Sequence, residues 1–263
     1  MRAGAFLILA AMLSPAAHAA DREPICADRP GKAWATCTVL PGHVEVDVGI
    51  AGWSLQKGAG ERDAELAVGE TEVRFGLTDR SEIAFDIAPY VRAASRSGGR
   101  HERASGVGDL TIFSKNRLTA DDAAVEVAIV PMVKVPTARR SLGNGKWEAA
   151  LLAPVNYAVP NSQLSIAMTP ELDWVADGDG RGHHAAMAQV AGIGWQASDK
   201  VNLSAELWGA WDWDPAGTTR QVSADGAVAY LLSNDVQLDA GANFGLNRNT
   251  PDVELYAGFA ARF

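Results

Sequence analysis

From Val44 onward the chain alternates apolar and polar positions with a period of two. Val44, Val46, Val48 and Ile50 alternate with Glu45, Asp47 and Gly49. Val73, Phe75 and Leu77 alternate with Glu72, Arg74 and Gly76, and Ile83, Phe85 and Ile87 with Glu82, Ala84 and Asp86. Leu110 and Ile112 lead a further segment whose second face carries Asp109, Thr111, Phe113, Lys115 and Arg117; Val125, Val127 and Ile129 oppose Glu126. Segments at 147–159, 164–174, 185–195, 201–213, 222–232, 236–244 and 253–263 continue the pattern. Successive side chains of a strand point to opposite faces, so the pattern predicts about twelve strands and no amphipathic helix.

The closing stretch, DVELYAGFAARF, is the clearest instance. Val253, Leu255, Ala257, Phe259, Ala261 and Phe263 share one face; Asp252, Glu254, Tyr256, Gly258, Ala260 and Arg262 share the other. A strand with a terminal Phe suits a barrel whose last strand pairs with its first, because lipid tolerates no open sheet edge. The connections alternate as well. Short ones rich in Asp, Asn, Ser and Pro fall near 78–80, 119–122, 160–162, 198–200 and 233–235. Longer ones fall at 54–66, 93–105, 138–146, 176–182, 214–220 and 247–251. This order predicts an all-β fold: a single antiparallel up-and-down transmembrane β-barrel, closed by its C-terminal strand, with both termini periplasmic. Aromatic residues fall near strand ends, as two interfacial girdles require: Trp53, Tyr90, Trp147, Trp174, Trp211 and Trp213 at one end, Phe75, Tyr157, Trp195, Tyr230 and Phe263 at the other.

Composition agrees with a barrel. Mean hydropathy is −0.04, too low for a helical membrane protein but suited to strands of which every second residue meets lipid. The net charge of −9 argues against a nucleic-acid partner. Arg2, an apolar run from Ala3 to Met12 and the sequence Ala17-His18-Ala19 read as a signal peptide over residues 1–20. Residues 21–42 are irregular and read as a periplasmic lead-in at the barrel mouth, and 43–263 as the barrel. Cys26 and Cys37, the chain's two cysteines, form a candidate disulfide in an exported protein.

Several stretches then carry a resemblance. They are DRPG at 28–31, VLPGHVEVDVG at 39–49, EVRFGLTDRSEIAF at 72–85, GVGDLTIFSKNRL at 106–118, IVPMVKVPTA at 129–138 and the run from Asp235 to Phe263. Together they resemble the MetA-pathway phenol-degradation family of outer-membrane proteins, over nearly the whole chain after the signal. The cysteine pair lies outside that family's pattern. The resemblance implies an outer-membrane barrel that passes small aromatic or apolar molecules, and it supplies no catalytic residues.

If the apolar faces meet lipid, the polar faces line the lumen. Candidates are Glu45, Asp47, Glu72, Arg74, Glu82, Asp86, Lys115, Arg117, Glu126, Asp173, Glu206, Asp212, Asp239, Glu254 and Arg262. They either pair across the lumen and plug it or line a narrow conduit. Arg92, Arg96, Arg100, His101 and Arg103 sit in an outer connection, where anionic head groups or an anionic solute are candidate contacts. The histidines His43, His101, His183 and His184 and the loop residues Ser105 and Ser141 form no nucleophile-elbow motif, and no cofactor or metal is expected. The expected function is passive passage of a small solute, with outer-membrane lipid and that solute as partners. A closed structural or adhesion barrel acting through its outer loops, and a lipid-modifying enzyme, stand as alternatives.

Overall fold

The computed structural model describes residues 23–58, 60–120 and 123–263. The signal-peptide reading concerns residues 1–20, outside the described residues.

The described elements are all strands, joined in one antiparallel sheet. They are β1 (Val44–Gly58), β2 (Glu61–Thr78), β3 (Ser81–Ile87), β4 (Tyr90–Ser97), β5 (Arg100–Gly106), β6 (Leu110–Arg117) and β7 (Val125–Val135). Then come β8 (Glu148–Leu152), β9 (Val155–Ala158), β10 (Leu164–Ala176), β11 (His183–Ser198), β12 (Val201–Asp214), β13 (Gly217–Ser233), β14 (Val236–Gly245) and β15 (Val253–Arg262). β3 and β4 both pair with β2, and β8 and β9 both pair with β7 and β10, so each couple is one interrupted stave. β5 and β6 make a third such stave against β4 and β3. Pro89 and Pro154 stand at two of the interruptions, where a residue without an N–H cannot continue the ladder. The fifteen strands therefore make twelve staves. The barrel closes where β15 pairs with β1 from Glu45↔Arg262 to Leu55↔Val253.

Three connections differ from the sequence expectation. Residues 54–66 and 93–105, predicted as long loops, are hairpins that extend the sheet beyond the wall: β1 pairs with β2 up to Gly58↔Glu61, and β4 with β5 up to Ser97↔Arg100. Gly98 and Gly99, at φ 54° and 82°, form the two-residue turn that a tight hairpin needs. These extensions are polar on both faces, so the apolar alternation that marks the wall is absent from them. The 214–220 connection also shortens, because β12 runs to Asp214 and β13 starts at Gly217.

The exposure pattern is inverted relative to a soluble protein. Outward-facing Leu172, Leu207 and Ile193 are 62%, 61% and 55% exposed. Inward-facing Glu45, Arg74, Glu82 and Lys115 are 0% exposed. An apolar exterior this continuous is the surface of a protein solvated by lipid. Leu207 lies midway along β12 on that exterior. Leu207→Arg is expected to destabilise the barrel by about 2–4 kcal/mol in reversible unfolding from lipid vesicles, the cost of a charge at the bilayer midplane. A soluble protein would lose little from a polar residue at so exposed a site.

Candidate conduit and its internal plug

The lead-in does not stop at the barrel mouth. Residues 23–42 run through the lumen before turning into β1. The segment enters beside the β13–β14 turn, where the Ile25 N–H donates to the Asn234 carbonyl at 2.7 Å. It leaves over β2, where the Gly42 N–H donates to the Gly76 carbonyl at 3.1 Å. Gly76 gives the chain room, because a Cβ there would lie 2.1 Å from the Leu40 carbonyl oxygen. Between entry and exit, Cys26 and Cys37 form a disulfide with their Cα atoms 6.0 Å apart. The bridged segment carries Asp28, Arg29, Lys32, Trp34 and Thr36 into the interior. Gly31 at its tip adopts φ 100°, a left-handed conformation open to glycine.

One side of this plug is held by charge. Arg74 on β2 is wholly buried; its Nη1 donates to Glu45 Oε1 at 2.9 Å and its Nε to Glu82 Oε1 at 2.9 Å. It also donates to the Cys26 carbonyl. Lys115 on β6 reaches both carboxylate oxygens of Asp28, at 2.5 and 2.7 Å, and the Cys37 carbonyl at 3.3 Å. Glu72 and Asp47 lie 3.6 and 3.8 Å from Arg74. Six sequence candidates (Glu45, Asp47, Glu72, Arg74, Glu82 and Lys115) therefore gather around a carboxylate that comes from the plug. Buried charges persist when they are paired, and here each carboxylate lies 2.5 to 3.8 Å from a cation.

The opposite side is looser. Arg29 meets Asp239 on β14 through two bonds, at 2.9 and 3.3 Å, and lies over the Tyr256 ring. A Cβ at Gly258 would fall 2.7 Å from Arg29 Nε, so glycine makes the space for this contact. The Lys32 N–H donates to Glu206 Oε2 at 2.8 Å. Its ammonium lies 3.5 Å from Glu254, 3.8 Å from Asp225 and over the Trp208 ring. Trp34 packs edge-to-face on Phe113 with ring centroids 5.0 Å apart, against an apolar patch of Ala84, Val130, Leu152 and Met132. The Thr36 hydroxyl donates to Glu126 at 2.5 Å.

The remaining candidates lie elsewhere. Arg262 holds Asp235 and the Glu23 carbonyl at the rim that carries the termini, and Arg117 donates to the Asp79 carbonyl at that same rim. Asp86 borders a lumenal cavity. Asp173 faces Ala150 and Ala186 across the ladders. Asp212 accepts from His184 near the far rim, 2.7 Å away, with Asp177 on the other ring nitrogen. His183 stacks on Trp174 instead, so the two adjacent histidines serve opposite faces. Asp28, Arg29, Lys32 and Trp34 were not singled out from the sequence. Their segment has no periodicity to betray an interior position; the available signal was mixed charge beside a disulfide.

Space remains around the plug. A cavity of about 390 Å³ lies among the far-rim connections, bordered by Ser54, Asp63, Glu65, Glu102 and Ser141. It shares Ser54 and Glu65 with a cavity of about 470 Å³ that reaches Arg29, Pro30, Lys32 and Tyr256. That cavity in turn shares Arg29 and Pro30 with one of about 540 Å³ at the termini rim, bordered by Pro24, Ile25, Lys200 and Gln237. A side cavity of about 320 Å³ has Trp34, Phe113 and Met132 on one wall and Glu70, Glu72 and Asp86 on the other.

The fold has solved counterparts. The COG4313 outer membrane channel from Pseudomonas putida F1 superposes with a TM-score of 0.71 at 15% identity, over 89% of this chain and 99% of that one. The translocator domain of the autotransporter NalP from Neisseria meningitidis gives a TM-score of 0.52 at 13% identity, over 84% of this chain and 88% of that one. No curated protein matches the sequence. The family model described as "Putative MetA-pathway of phenol degradation" matches residues 27–263, plug and barrel together, and the chain belongs to that family of outer-membrane β-barrels.

Proposed function

We propose that this barrel passes a small aromatic or apolar solute across the outer membrane, along the side of the plug that Arg29 guards. The observation that carries the reading is the row of three cavities from the far rim to the termini rim, which adjoin at Arg29 and Pro30. A lumen filled only for stability would have no reason to keep that row continuous along one side of the plug. The side cavity, which adjoins this row at Arg29 and Gly31, is bordered by Trp34, Phe113 and Met132, and these suit an apolar ring better than a sugar. The family's link to phenol degradation and the description of the Pseudomonas protein as an outer membrane channel point the same way. The termini rim is the periplasmic one in this reading, as an exported lead-in requires. Passage is passive and needs no cofactor.

Liposome swelling with the purified barrel tests the proposal, using aromatic solutes and size-matched neutral sugars. Aromatic solutes are expected to enter faster than the sugars. Arg29→Ala, which widens the junction between the two larger cavities, is expected to raise entry of both several-fold. Entry no faster than into empty liposomes, for wild type and Arg29→Ala alike, would instead favour a closed barrel that works through its outer loops.

The plug's anchor gives a second expectation. Lys115→Met leaves Asp28 and Glu82 buried without their ammonium, and a broken buried pair costs about 3–5 kcal/mol. Thermal unfolding in detergent is expected to show that loss. Lys115→Met combined with Asp28→Asn is expected to recover part of it, because the orphaned charge is gone. Equal losses in the single and double variants would show that the clamp on Asp28 is not what Lys115 contributes.

A further inference from the structure

The hairpin extensions of β1–β2 and β4–β5 separate charge by face. In direct cross-strand register, Lys57 opposes Arg62, Arg62 opposes Arg96, and Arg96 opposes His101. This is an unbroken row of four basic side chains over four strands. Neighbouring strands lie about 4.8 Å apart, so the row spans about 14 Å. Two residues lower on the same face, Leu55, Ala64, Ala94 and Arg103 are in register, and below them Trp53, Leu66, Arg92 and Ser105. The next row down holds Val68 and Tyr90. The acids occupy the other face, where Arg100 opposite Ser97 is the one base of β4 and β5. Glu65 and Asp63 border the lumenal cavities, Glu102 is in register with Ser95 and Asp63, and Glu61 accepts from the Ser97 hydroxyl. By the two-residue period the basic rows lie on the side that lower down meets lipid, and Arg103, with Ala64 and Ala94 of its row, also borders the far-rim cavity.

Their height fixes what they meet. Val68 and Tyr90, 39% and 42% exposed, lie ten residues above the Thr78 end of β2. At about 3.3 Å per residue and a tilt near 40°, that is about 25 Å, the height of a barrel's apolar band. Arg92, Arg103 and the four-residue row thus begin where the apolar band ends and rise about 15 Å above it. Like charges placed directly opposite on adjacent strands repel. Among the described residues, no ion pair joins Lys57, Arg62, Arg92, Arg96 or Arg103 to a carboxylate. The nearby Asp252 accepts from the Lys57 backbone N–H. What the face lacks is an anion with several charges, held above the upper edge of the apolar band.

We propose that this face binds the phosphorylated head group of an outer-leaflet lipid, with Arg62, Arg96 and Arg103 as its principal contacts. Guanidinium groups take phosphate oxygens in bidentate pairs, and the acyl chains of such a lipid would lie along the apolar band below, past Tyr90 and Val68. A row about 14 Å long suits a head group with more than one phosphate. The assignment of leaflet rests on the periplasmic position of the termini proposed above.

The test uses the full barrel in neutral detergent and bisphosphorylated lipid A in mixed micelles as the probe. Retention of lipid A on immobilised wild type is expected, weakening as salt rises. Each removed charge is expected to weaken it about fivefold, so that Arg62→Gln, Arg96→Gln and Arg103→Gln together weaken it on the order of 100-fold. Arg139→Gln with Arg140→Gln, in a different connection, is expected to change nothing. An unaltered heat-modifiable gel shift would show that the triple variant is folded. Equal retention by wild type and triple variant would overturn the site. So would competition by inorganic phosphate as strong as that by the lipid, which would mark a free-anion site. If the basic rows only protect the edge strand β5 from pairing, retention would not distinguish phosphorylated from dephosphorylated lipid, and the proposal would fail. Orientation is read separately, by labelling Ser97→Cys on intact cells with an impermeant maleimide. Labelling is expected; its absence beside intact binding in micelles would overturn the orientation and with it the outer-leaflet source.

Discussion

A chain that spans lipid with strands must leave no backbone N–H or C=O without a partner, and the closure of β15 on β1 meets that demand. Phe263 and Val44 exchange backbone hydrogen bonds of 2.7 and 3.2 Å at the end of this seam. Once the sheet is closed, the two-residue period of a strand sorts every side chain as lipid-facing or lumen-facing. The apolar exterior and polar interior follow from one another. Twelve staves also enclose a space wider than that of the eight-stranded barrels that wall side chains fill. Residues 23–42 fill part of it.

The plug is held asymmetrically, and the asymmetry has a chemical cause. On the side of β1, β2, β3 and β6 the wall offers Arg74 and Lys115 among an excess of carboxylates. Asp28 completes the set by placing a carboxylate between the two cations. Removing any cation there leaves buried carboxylates without partners, which is a larger penalty than the pair's net contribution to stability. That side is consequently the rigid one. On the side of β10 to β15 several inward positions are small. Ser165, Gly192, Gly194, Ser204 and Ala229 border open space, and Arg29 and Lys32 reach across it to Asp239 and Glu206.

What the sequence disclosed follows from where lipid touches the chain. Within the apolar band each strand must be greasy on one face, so Val44 to Ile50 or Val253 to Phe263 declare themselves. Beyond the band both faces are polar, and stretches such as Glu61-Arg62-Asp63 or Arg100 to Ser105 look like loops although they are paired strands. Their signal was present in another form, as acids and bases on alternate residues. The plug was opaque for a different reason. Its residues are fixed by contacts with eleven scattered staves' worth of wall, not by a local period, and no spacing in DRPGKAW announces that Asp28 will find Lys115. The inward glycines were a partial clue, since Gly258 and Gly76 are small where the plug presses on the wall.

The same argument separates the parts of this molecule that are free to vary in function from those that are not. The seam, the apolar band and the Asp28 clamp are each demanded by the physics of a filled barrel in lipid, so none of them specifies a solute. Arg29 is different. Its ion pair with Asp239 is reached across space, over Tyr256 and past a glycine, at the one level where the cavities on either side adjoin. A side chain serving stability alone would be better placed among the packed carboxylates on the other wall. Under the proposed function its displacement joins two spaces, and the plug carries selectivity as well as filling the barrel.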